Sequence, residues 1–276
     1  MPSSLLSDLE RYLDAAPRIT AEAQNLGPLC LFINRGYWPF YARPRLFFAE
    51  PPYARDIETV RRRQRELGLP EAFEWVHETT PGMIEAALAA GLTVRQLPLM
   101  LLESFRPAEV PAGITLRLLG PNDPNLRAAQ AVAHLGFSWP GTDSGPLGVT
   151  ERDTRAGLLQ SEEITHLQDR IRRGLTRMVT ALGSPDTSIG EGPLCVGSHL
   201  PLGNTSEIVG LATLPAARHH GLAKAVTTKL VEDASSRGVE TIFLTAGSEG
   251  VARMYEGLGF ARIGTSCVAE PNENAS

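Results

Sequence analysis

The sequence is poor in residues that build covalent or metal cross-links. Among its 276 residues are 3 cysteines, which lie far apart at Cys30, Cys195 and Cys267 and in no CxxC spacing. Such a small, odd and scattered set argues against a disulfide framework and against a zinc site. A reducing cytoplasm fits this cysteine usage best, and we expect no metal.

Long apolar runs and extended basic segments are also missing. No stretch approaches the roughly 20 apolar residues that a membrane-spanning helix needs, and acids interrupt the apolar pattern of residues 5–13, so we expect neither a signal peptide nor a membrane segment. The net charge is -5, and the arginines of residues 61–65 stand among acids. Nucleic acid is therefore a poor candidate partner.

The composition that remains, with 42% hydrophobic and 21% charged residues, is typical of a globular protein. A chain of this length suits one large domain or two of roughly 130 residues each. Residues 106–113 contain two prolines and a glycine that resist regular structure, which marks the best boundary. We predict an N-terminal domain at 1–105, a linker at 106–113, a second domain at 114–270 and a flexible tail at 271–276.

A strand, helix and strand follow one another twice in the pattern. In the N-terminal half, residues 73–77 alternate like a strand, 81–90 form a helical pattern stopped by Gly91, and 97–102 are apolar enough for a second strand. The same order recurs near the other end of the chain, at 241–244, 250–258 and 260–268. We interpret this as a weak internal pseudo-repeat.

The second predicted domain mixes strands and helices. Residues 114–118 form a strand, and helices at 125–134 and 151–171 follow, separated by a polar loop. Three alternating strands come next, at 176–182, 194–199 and 208–214. The glycine-, proline- and asparagine-containing connections between them are typical of antiparallel neighbours. The predicted class is α+β, a mixed and mostly antiparallel sheet flanked by helices.

The sharpest motif is the segment 218–223, of the form R-x-x-G-x-A, which leaves a strand and enters a helix. The first N–H groups of such a helix have no partner within it, and together with the positive end of the helix dipole they suit an anion such as a diphosphate. Gly221 lacks the Cβ that would block close approach. An ordinary loop with one tight turn is the competing interpretation.

This segment resembles the acetyl-CoA motif of the GNAT (Gcn5-related N-acetyltransferase) superfamily, written Q/R-x-x-G-x-G/A. The resemblance covers residues 114–269 well. The N-terminal part is similar only vaguely and has no such loop, which implies the two-domain bacterial type with a smaller, degenerate α/β GNAT-like domain in front. The resemblance also implies that the loop binds the CoA diphosphate, through Arg218, His219, His220, Gly221, Leu222, Ala223 and Lys224.

Residues 248–260 resemble the second signature of that family, N-x-x-A-x-x-x-Y-x-x-x-G-F, with Ser248 where Asn is common and Val251 where Ala is common. The apolar spacing places Tyr255 on the inward face of a short helix. In the family that tyrosine commonly protonates the departing CoA thiolate. A core tyrosine with a satisfied hydroxyl is the competing interpretation. Ser248 can still cap a helix, and we assign it to coenzyme binding.

Glu207 opens the strand that leads to this loop, and histone-type members of the family place a base-like glutamate at the same distance before the motif. A carboxylate there can take the proton of an amine nucleophile, directly or through water. A solvent-facing glutamate at a strand edge is the competing interpretation. The family's equivalent of residues 211–213, here Leu211, Ala212 and Thr213, pairs its backbone with the pantetheine, and one N–H polarises the thioester carbonyl.

Other candidates are less favoured. The adjacent His219 and His220 point in different directions and make a poor metal pair. Ser198 and His199 lack the strand-turn-helix elbow and a nearby acid, so we expect no hydrolase triad. The loop and first two helices of the second domain, where the family builds its acceptor pocket, contain His134, His166 and Trp139.

The resemblance implies direct transfer of an acetyl group from acetyl-CoA, as cosubstrate, to a primary amine of a small molecule or peptide. Glu207 or a water would be the base, strand N–H groups the oxyanion donors and Tyr255 the acid. The N-terminal domain would lack CoA binding and shape the acceptor pocket or an oligomer interface, and a homodimer is left open. A non-catalytic acyl-CoA sensor or scaffold, and a nucleotide-binding enzyme using the same helix terminus, are the alternatives.

Overall fold

The computed structural model describes residues 2–34, 40–46, 48 and 50–272, which form two compact units. Unit 1 contains the described residues of 1–100, 245–249 and 262–276, and unit 2 contains residues 101–244 and 250–261. Of the described helices, none combines the length and the apolar character needed to cross a bilayer.

The described elements alternate between helices and strands along the chain. The helices are α1 (Pro2–Arg18), α2 (Ala54–Leu67), α3 (Met83–Ala89), α4 (Leu126–Ser138), α5 (Val149–Leu158), α6 (Ser161–Arg172), α7 (Leu222–Ser236) and α8 (Glu249–Glu256). The strands are β1 (Glu22–Leu26), β2 (Leu29–Ile33), β3 (Arg43–Pro44), β4 (Phe73–Val76), β5 (Leu92–Leu102), β6 (Ile114–Leu118), β7 (Arg177–Gly183), β8 (Gly192–Leu202), β9 (Thr205–Thr213), β10 (Thr241–Thr245) and β11 (Phe260–Pro271).

Unit 1 contains two groups of paired strands. β1, β2 and β3 form an antiparallel sheet, and β4, β11 and β5 are neighbours in that order, with β11 antiparallel to β4. Apolar side chains of α2, α3 and β4 fill the core, among them Ile57, Trp75 and Met83. Because these side chains are fully removed from water, this core supplies the main apolar stabilisation of the unit.

Unit 2 is built on a largely antiparallel arrangement. β6, β7, β8 and β9 pair antiparallel in sequence order, and β10 pairs with β9 in parallel. α7 contacts the sheet through a buried stripe that includes Leu222, Val226 and Leu230, as its 3.6-residue period predicts. The predicted α+β class and mostly antiparallel sheet are confirmed.

The two predicted strand-helix-strand segments are present as β4, α3 and β5 and as β10, α8 and β11, and their relation as a repeat stays a prediction. In unit 1, β3, α2, β4 and α3 follow one another, and a parallel bridge joins Ala42 to Phe73. In unit 2, β9, α7, β10 and α8 follow in the same order, and β9 is also parallel to β10. In both places a helix therefore connects two segments that pair in parallel, through one isolated bridge in unit 1 and through a strand pair in unit 2.

One helix prediction was wrong, because residues 151–171 form two helices. Leu159 and Gln160 both adopt extended backbone, with ψ of 135° and 142°, which ends α5 and starts α6. The interruption buries Leu159, and Arg127 donates hydrogen bonds to the carbonyl oxygens of Ala156 and Leu159. Periodicity alone does not detect such a break, because both helices keep an apolar face.

The segment predicted as a linker, 106–113, has no regular structure but is anchored within unit 2. The Arg106 N–H donates to the carbonyl of Leu258 at 3.0 Å, and the Ala108 N–H donates to Thr228 Oγ1 at 3.0 Å. Pro271 of the predicted tail ends β11, and residues 273–276 lie outside the described residues. The division of the chain into domains at these positions stays a prediction.

Candidate functional site

The parallel strands β9 and β10 pair only over the first part of β9. The paired residues are Thr205 with Thr241, Ser206 with Ile242, and Glu207 with Phe243. β9 then continues to Thr213, and among the described residues its 208–213 stretch pairs with no residue of β10. The strands therefore open a slot whose wall is strand backbone, and a ligand with amide groups can pair with such a wall.

A β-bulge lies in the middle of that wall. Ser198 of β8 pairs with Val209 while Val196 pairs with Ala212, so Gly210 and Leu211 together face Gly197. Gly210 has a φ of 64°, in the left-handed region that glycine adopts without strain. A bulge of this kind turns the following backbone groups in a new direction, and it is a common device beside active sites.

The predicted oxyanion segment, residues 211–213, therefore lies directly after the bulge. Ala212 is buried, and the Thr213 hydroxyl donates to Cys195 Sγ at 3.2 Å. Sequence reasoning did not single out Gly210, although a glycine inside an alternating strand pattern is a known signal for a bulge.

α4 lies against the same segment through Gly136. A Cβ on residue 136 would stand 2.9 Å from the Cβ of Ala212 and 3.1 Å from the carbonyl oxygen of Thr213. Only a glycine lets the helix approach the strand this closely. The sequence analysis did not identify Gly136 as such a position. The available signal was a glycine on the buried face of a helix, which often marks close packing.

The N-terminus of α7 carries the predicted anion site. Gly221 is the residue that precedes the helix, with a φ of 76°, and its carbonyl accepts the first helical hydrogen bond, from Ala225. In the described part of the chain, the N–H groups of residues 221–224 donate to no protein acceptor. Four free amides and a helix dipole suit a diphosphate, so the residues present fit the coenzyme.

The side chains of this loop take different directions. His219 has a φ of 65°, the only positive φ among the described non-glycine residues. His220 is exposed, and its Nδ1–H donates to the Arg218 carbonyl at 2.8 Å. Leu222 is buried in the core, and Lys224 reaches toward residue 257 at the end of α8. Backbone groups rather than side chains therefore line the predicted phosphate position.

The guanidinium of Arg218 is engaged elsewhere. It donates hydrogen bonds to four carbonyl oxygens, those of Gly136, Trp139, Gly141 and Asp143, over distances from 2.8 to 3.5 Å. A direct bond from this side chain to a phosphate is not what the geometry provides, and its role in coenzyme binding stays a prediction.

Tyr255 lies on the buried face of α8, as predicted. Its ring packs against Phe260 in an edge-on contact, with centroids 5.6 Å apart. Burial, and to a smaller extent the neighbouring Cys195, raise the pKa of Tyr255 above its ordinary value. The hydroxyl makes no hydrogen bond to a described protein group, and its role as an acid stays a prediction.

Glu207 lies where β9 and β10 separate. It is the last residue of β9 that pairs with β10, opposite Phe243, and on the other side it faces Leu200 of β8. β9 therefore has a neighbouring strand on both sides at Glu207, so this residue does not lie at a sheet edge. The Glu207 side chain is half-buried, and the residue has an interaction partner within the protein. Its role as a base stays a prediction.

Ser248 is placed differently from the other predicted residues. It belongs to the 245–249 segment of unit 1 and directly precedes α8, the position of a helix-capping residue. Its assignment to coenzyme binding stays a prediction.

The expectation that His199 has no nearby acid was wrong. Its Nε2–H donates to Asp233 Oδ2 at 2.9 Å, and the Ser206 hydroxyl lies 2.9 Å from Nδ1. Burial lowers the pKa of His199 and so favours the neutral imidazole, although the hydrogen bond to Asp233 acts in the opposite direction. Ser206 and His199 are both fully buried, so this serine is no exposed nucleophile and the group is structural.

The acid of that group is held ionised by its surroundings. Burial alone would raise the pKa of Asp233, but hydrogen bonds from Arg177, His199 and Arg237 outweigh it and hold that pKa below its ordinary value. Sequence reasoning could not detect the contact, because 34 residues separate His199 from Asp233.

The residues predicted near the acceptor pocket fall into separate environments. His134 accepts a hydrogen bond from Arg155 through Nδ1 at 2.8 Å and donates through Nε2 to Glu163 at 2.8 Å, which ties α4, α5 and α6 together. Trp139 packs against Gly145. The Nε2 of His166 is sealed from solvent without a partner, and burial lowers the pKa of that histidine.

Comparison with known families and structures agrees with this geometry. Residues 189–260 match the model described as the acetyltransferase (GNAT) family, and no curated protein matches the chain. A GCN5-related N-acetyltransferase from Kribbella flavida has 19% identity and a TM-score of 0.68, over 98% of this chain and 97% of that one.

Two further solved structures share the fold. A tandem GNAT protein from the clavulanic acid biosynthesis pathway has 14% identity and a TM-score of 0.52, over 87% of this chain and 77% of that one. A functionally unknown conserved protein from Staphylococcus epidermidis has 13% identity and the same TM-score of 0.52, over 90% and 93%. At these identities the likeness establishes the fold.

Proposed function

We propose that unit 2 is an N-acetyltransferase, because residues 189–260 match the model of the acetyltransferase (GNAT) family. Its substrates in this proposal are acetyl-CoA and a primary amine of a small molecule or peptide. The observation that carries the proposal is the N-terminus of α7, where the N–H groups of 221–224 have no acceptor among the described residues and Gly221 presents no Cβ beside them.

The slot between β9 and β10 supports the same proposal. It begins directly after Glu207 and runs along 208–213, and it therefore offers an unpaired strand edge to an extended amide-containing arm. The bulge at Gly210 turns the next backbone groups, and an N–H among residues 211–213 would polarise the thioester carbonyl.

The bound cosubstrate supplies an acetyl group that is activated as a thioester. In the proposed reaction Glu207 accepts the amine proton, directly or through a water, while an N–H of 211–213 stabilises the developing oxyanion. The amine nitrogen bonds to the thioester carbon, the C–S bond then breaks, and the sulfur leaves as the CoA thiolate, toward which Tyr255 holds its hydroxyl proton. Because burial favours the protonated form, Tyr255 donates a hydrogen bond first and releases the proton only to a strongly basic acceptor.

Direct attack is favoured over an acyl-cysteine route at this site. Burial raises the pKa of the Cys195 thiol to about 12, so this thiol stays protonated. The thiolate is the nucleophilic form, and Cys195 next to Thr213 is therefore a poor acyl carrier.

We further propose that unit 1 does not bind the coenzyme. The corresponding helix, α2, follows Pro51 and Pro52 instead of a glycine-containing loop. Its N-terminus is capped by its own carboxylate, since Asp56 Oδ2 accepts the Tyr53 N–H at 2.9 Å. A carboxylate at that position repels a diphosphate and occupies one of the donors that it would need.

Calorimetry with CoA, followed by an assay of acetyl transfer from acetyl-CoA to a panel of amines and to metabolites of a cleared lysate, tests the proposal. We expect CoA to bind, ATP to compete poorly, and at least one amine to gain an acetyl mass. Binding with no transfer to any amine would favour a sensor or scaffold, and equal competition by ATP would favour a nucleotide-binding enzyme.

A further inference from the structure

The side chain of Arg218 organises the loop that joins α4 to α5, residues 139–148. Its Nη1 donates to the carbonyl oxygens of Gly141 and Asp143 at 3.0 and 2.9 Å, and its Nη2 donates to Gly136 at 2.8 Å and to Trp139 at 3.5 Å. One charged group therefore gathers the carbonyls at the end of α4 and across the first half of the loop. A cation at a helix C-terminus is also favoured by the helix dipole.

Backbone contacts tie the second half of the loop to the same place. The Gly145 N–H donates to the Pro215 carbonyl at 3.1 Å, and the Ala216 N–H donates to the Leu147 carbonyl at 3.1 Å. Most of residues 140–146 are exposed and belong to no helix or strand. The order of the loop 139–148 therefore depends on its hydrogen bonds to the segment 215–218.

Arg218 stands directly before the left-handed turn that leads into α7. His219 and Gly221 both have positive φ, at 65° and 76°, and a non-glycine residue at positive φ is a strained conformation. A ligand that binds the free amides of 221–224 stabilises this turn. The same turn sets the position from which the Arg218 side chain extends.

We propose that Arg218 is a positioning residue that couples the coenzyme loop to the loop 139–148, so that CoA binding orders the acceptor side of the site. The inference rests on the proposed function, since it takes CoA as the ligand of the α7 N-terminus. The loop starts three residues after Gly136, which lies against Ala212 and Thr213, and it therefore borders the slot where the amine must arrive.

The planar fork of the guanidinium is what this role requires. A lysine at position 218 keeps the charge but offers a point donor, which does not span carbonyls of four different residues. Coupling of this kind is reciprocal, so whatever orders the loop also strengthens CoA binding by the same factor. Loss of the fork should remove the coupling while leaving the amides of 221–224 free to bind CoA.

Hydrogen exchange of the loop amides with and without CoA tests the proposal. In the wild-type protein we expect saturating CoA to slow exchange in 139–148 by about fivefold or more, within the range of ordinary coupling. In Arg218→Gln and Arg218→Lys we expect CoA still to bind, with a Kd weakened by about the same factor, measured by calorimetry, and to change exchange in the loop by less than about twofold. A purely structural role would instead raise exchange equally with and without CoA.

A matched control is Arg127→Gln. Arg127 also holds two carbonyls, those of Ala156 and Leu159, but it does not contact the coenzyme loop, so CoA should protect 139–148 as in the wild type. The proposal is overturned if CoA binds the wild type without protecting the loop from exchange. This test uses the wild-type protein and does not depend on the folding of any variant. It is equally overturned if CoA protects the loop fully in Arg218→Gln or Arg218→Lys. Failure of CoA to bind the wild type would instead refute the proposed function.

Discussion

Gly136 of α4 lies so close to Ala212 of β9 that a Cβ on residue 136 would stand 2.9 Å from the Cβ of Ala212. Real Cβ atoms do not approach one another at that distance, and the carbonyl oxygen and amide nitrogen of Thr213 are nearly as near, at 3.1 and 3.3 Å. The missing side chain lets α4 rest directly on the strand beyond the bulge. The proposed thioester site is therefore bounded by helix backbone on this side.

Gly136→Ala should destabilise the protein in spite of the better helix propensity of alanine. Propensity alone favours alanine by about 1 kcal/mol, whereas over-packing of a tight contact costs about 1–3 kcal/mol. We expect a net loss, measured by urea unfolding, together with slower acetyl transfer. The control is Gly157→Ala in α5, where an added Cβ would meet no atom within 4 Å, and which should stabilise. If Gly136→Ala and Gly157→Ala raise the free energy of unfolding equally, residue 136 is not in close contact with Ala212.

Local patterns predicted the parts of the site that depend on neighbours in sequence. The 3.6-residue period placed Tyr255 on the buried face of α8, and the R-x-x-G-x-A loop predicted the helix N-terminus that follows Gly221. The bulge at Gly210 had a local signal that was not used. These features follow from backbone preference and burial, which a short segment carries by itself.

Contacts between distant segments could not be predicted in this way. The pattern of residues 260–268 predicts a strand, but it does not say that β11 pairs with β4, where Ser266 faces Val76. The carbonyl partners of Arg218 come from the end of α4 and the loop after it, and its bond to Gly141 joins residues 77 positions apart in the sequence. Such pairings depend on the tertiary fold, and a single sequence holds no periodic trace of them.

Gly221→Asp should abolish CoA binding. The substitution puts a carboxylate beside the amides of 221–224, where it repels a diphosphate, and it forces a side chain into a φ of 76°. Gly238→Asp is a matched control, because Gly238 has a φ of 80° at the far end of α7 and an added Cβ would meet no atom within 4 Å. Calorimetry should show CoA binding to Gly238→Asp but not to Gly221→Asp. If CoA binds both variants, the diphosphate lies elsewhere.

Tyr255→Phe should slow transfer and leave CoA binding nearly intact. The ring and its contact with Phe260 remain, and the hydroxyl has no described protein partner to lose, so we expect stability within about 0.5 kcal/mol of wild type. Removal of an acid that acts in the transition state should lower kcat by about 10²-fold or more. Steady-state kinetics on the best amine decides this, and an unchanged kcat would remove Tyr255 from the reaction.

Glu207→Gln should lower kcat/KM by about 10²-fold, because the amide keeps the shape of the carboxylate but cannot accept a proton. In the wild type, kcat/KM should rise with pH as the base ionises. This rise should be absent in the variant. Glu191→Gln serves as control, since Glu191 is an exposed glutamate of unit 2 outside the slot. If kcat/KM of Glu207→Gln has the same pH dependence as that of the wild type, Glu207 is not the base and the amine loses its proton to solvent.

Unfolding stability should fall as the pH drops from about 7 to 5, and His199 should account for part of the slope. Burial lowers the pKa of His199 below its ordinary value of 6.5, so below that pH the unfolded chain binds a proton that the folded chain refuses. One such group contributes at most about 1.4 kcal/mol per pH unit. Asp233 stays ionised throughout this window, because its lowered pKa lies under the ordinary 3.8. His199→Gln should flatten the slope in urea titrations, whereas His166→Gln should remove a separate share, since burial also lowers the pKa of His166. A wild-type slope in His199→Gln would mean that His199 is protonated in the native state as an ion pair with Asp233.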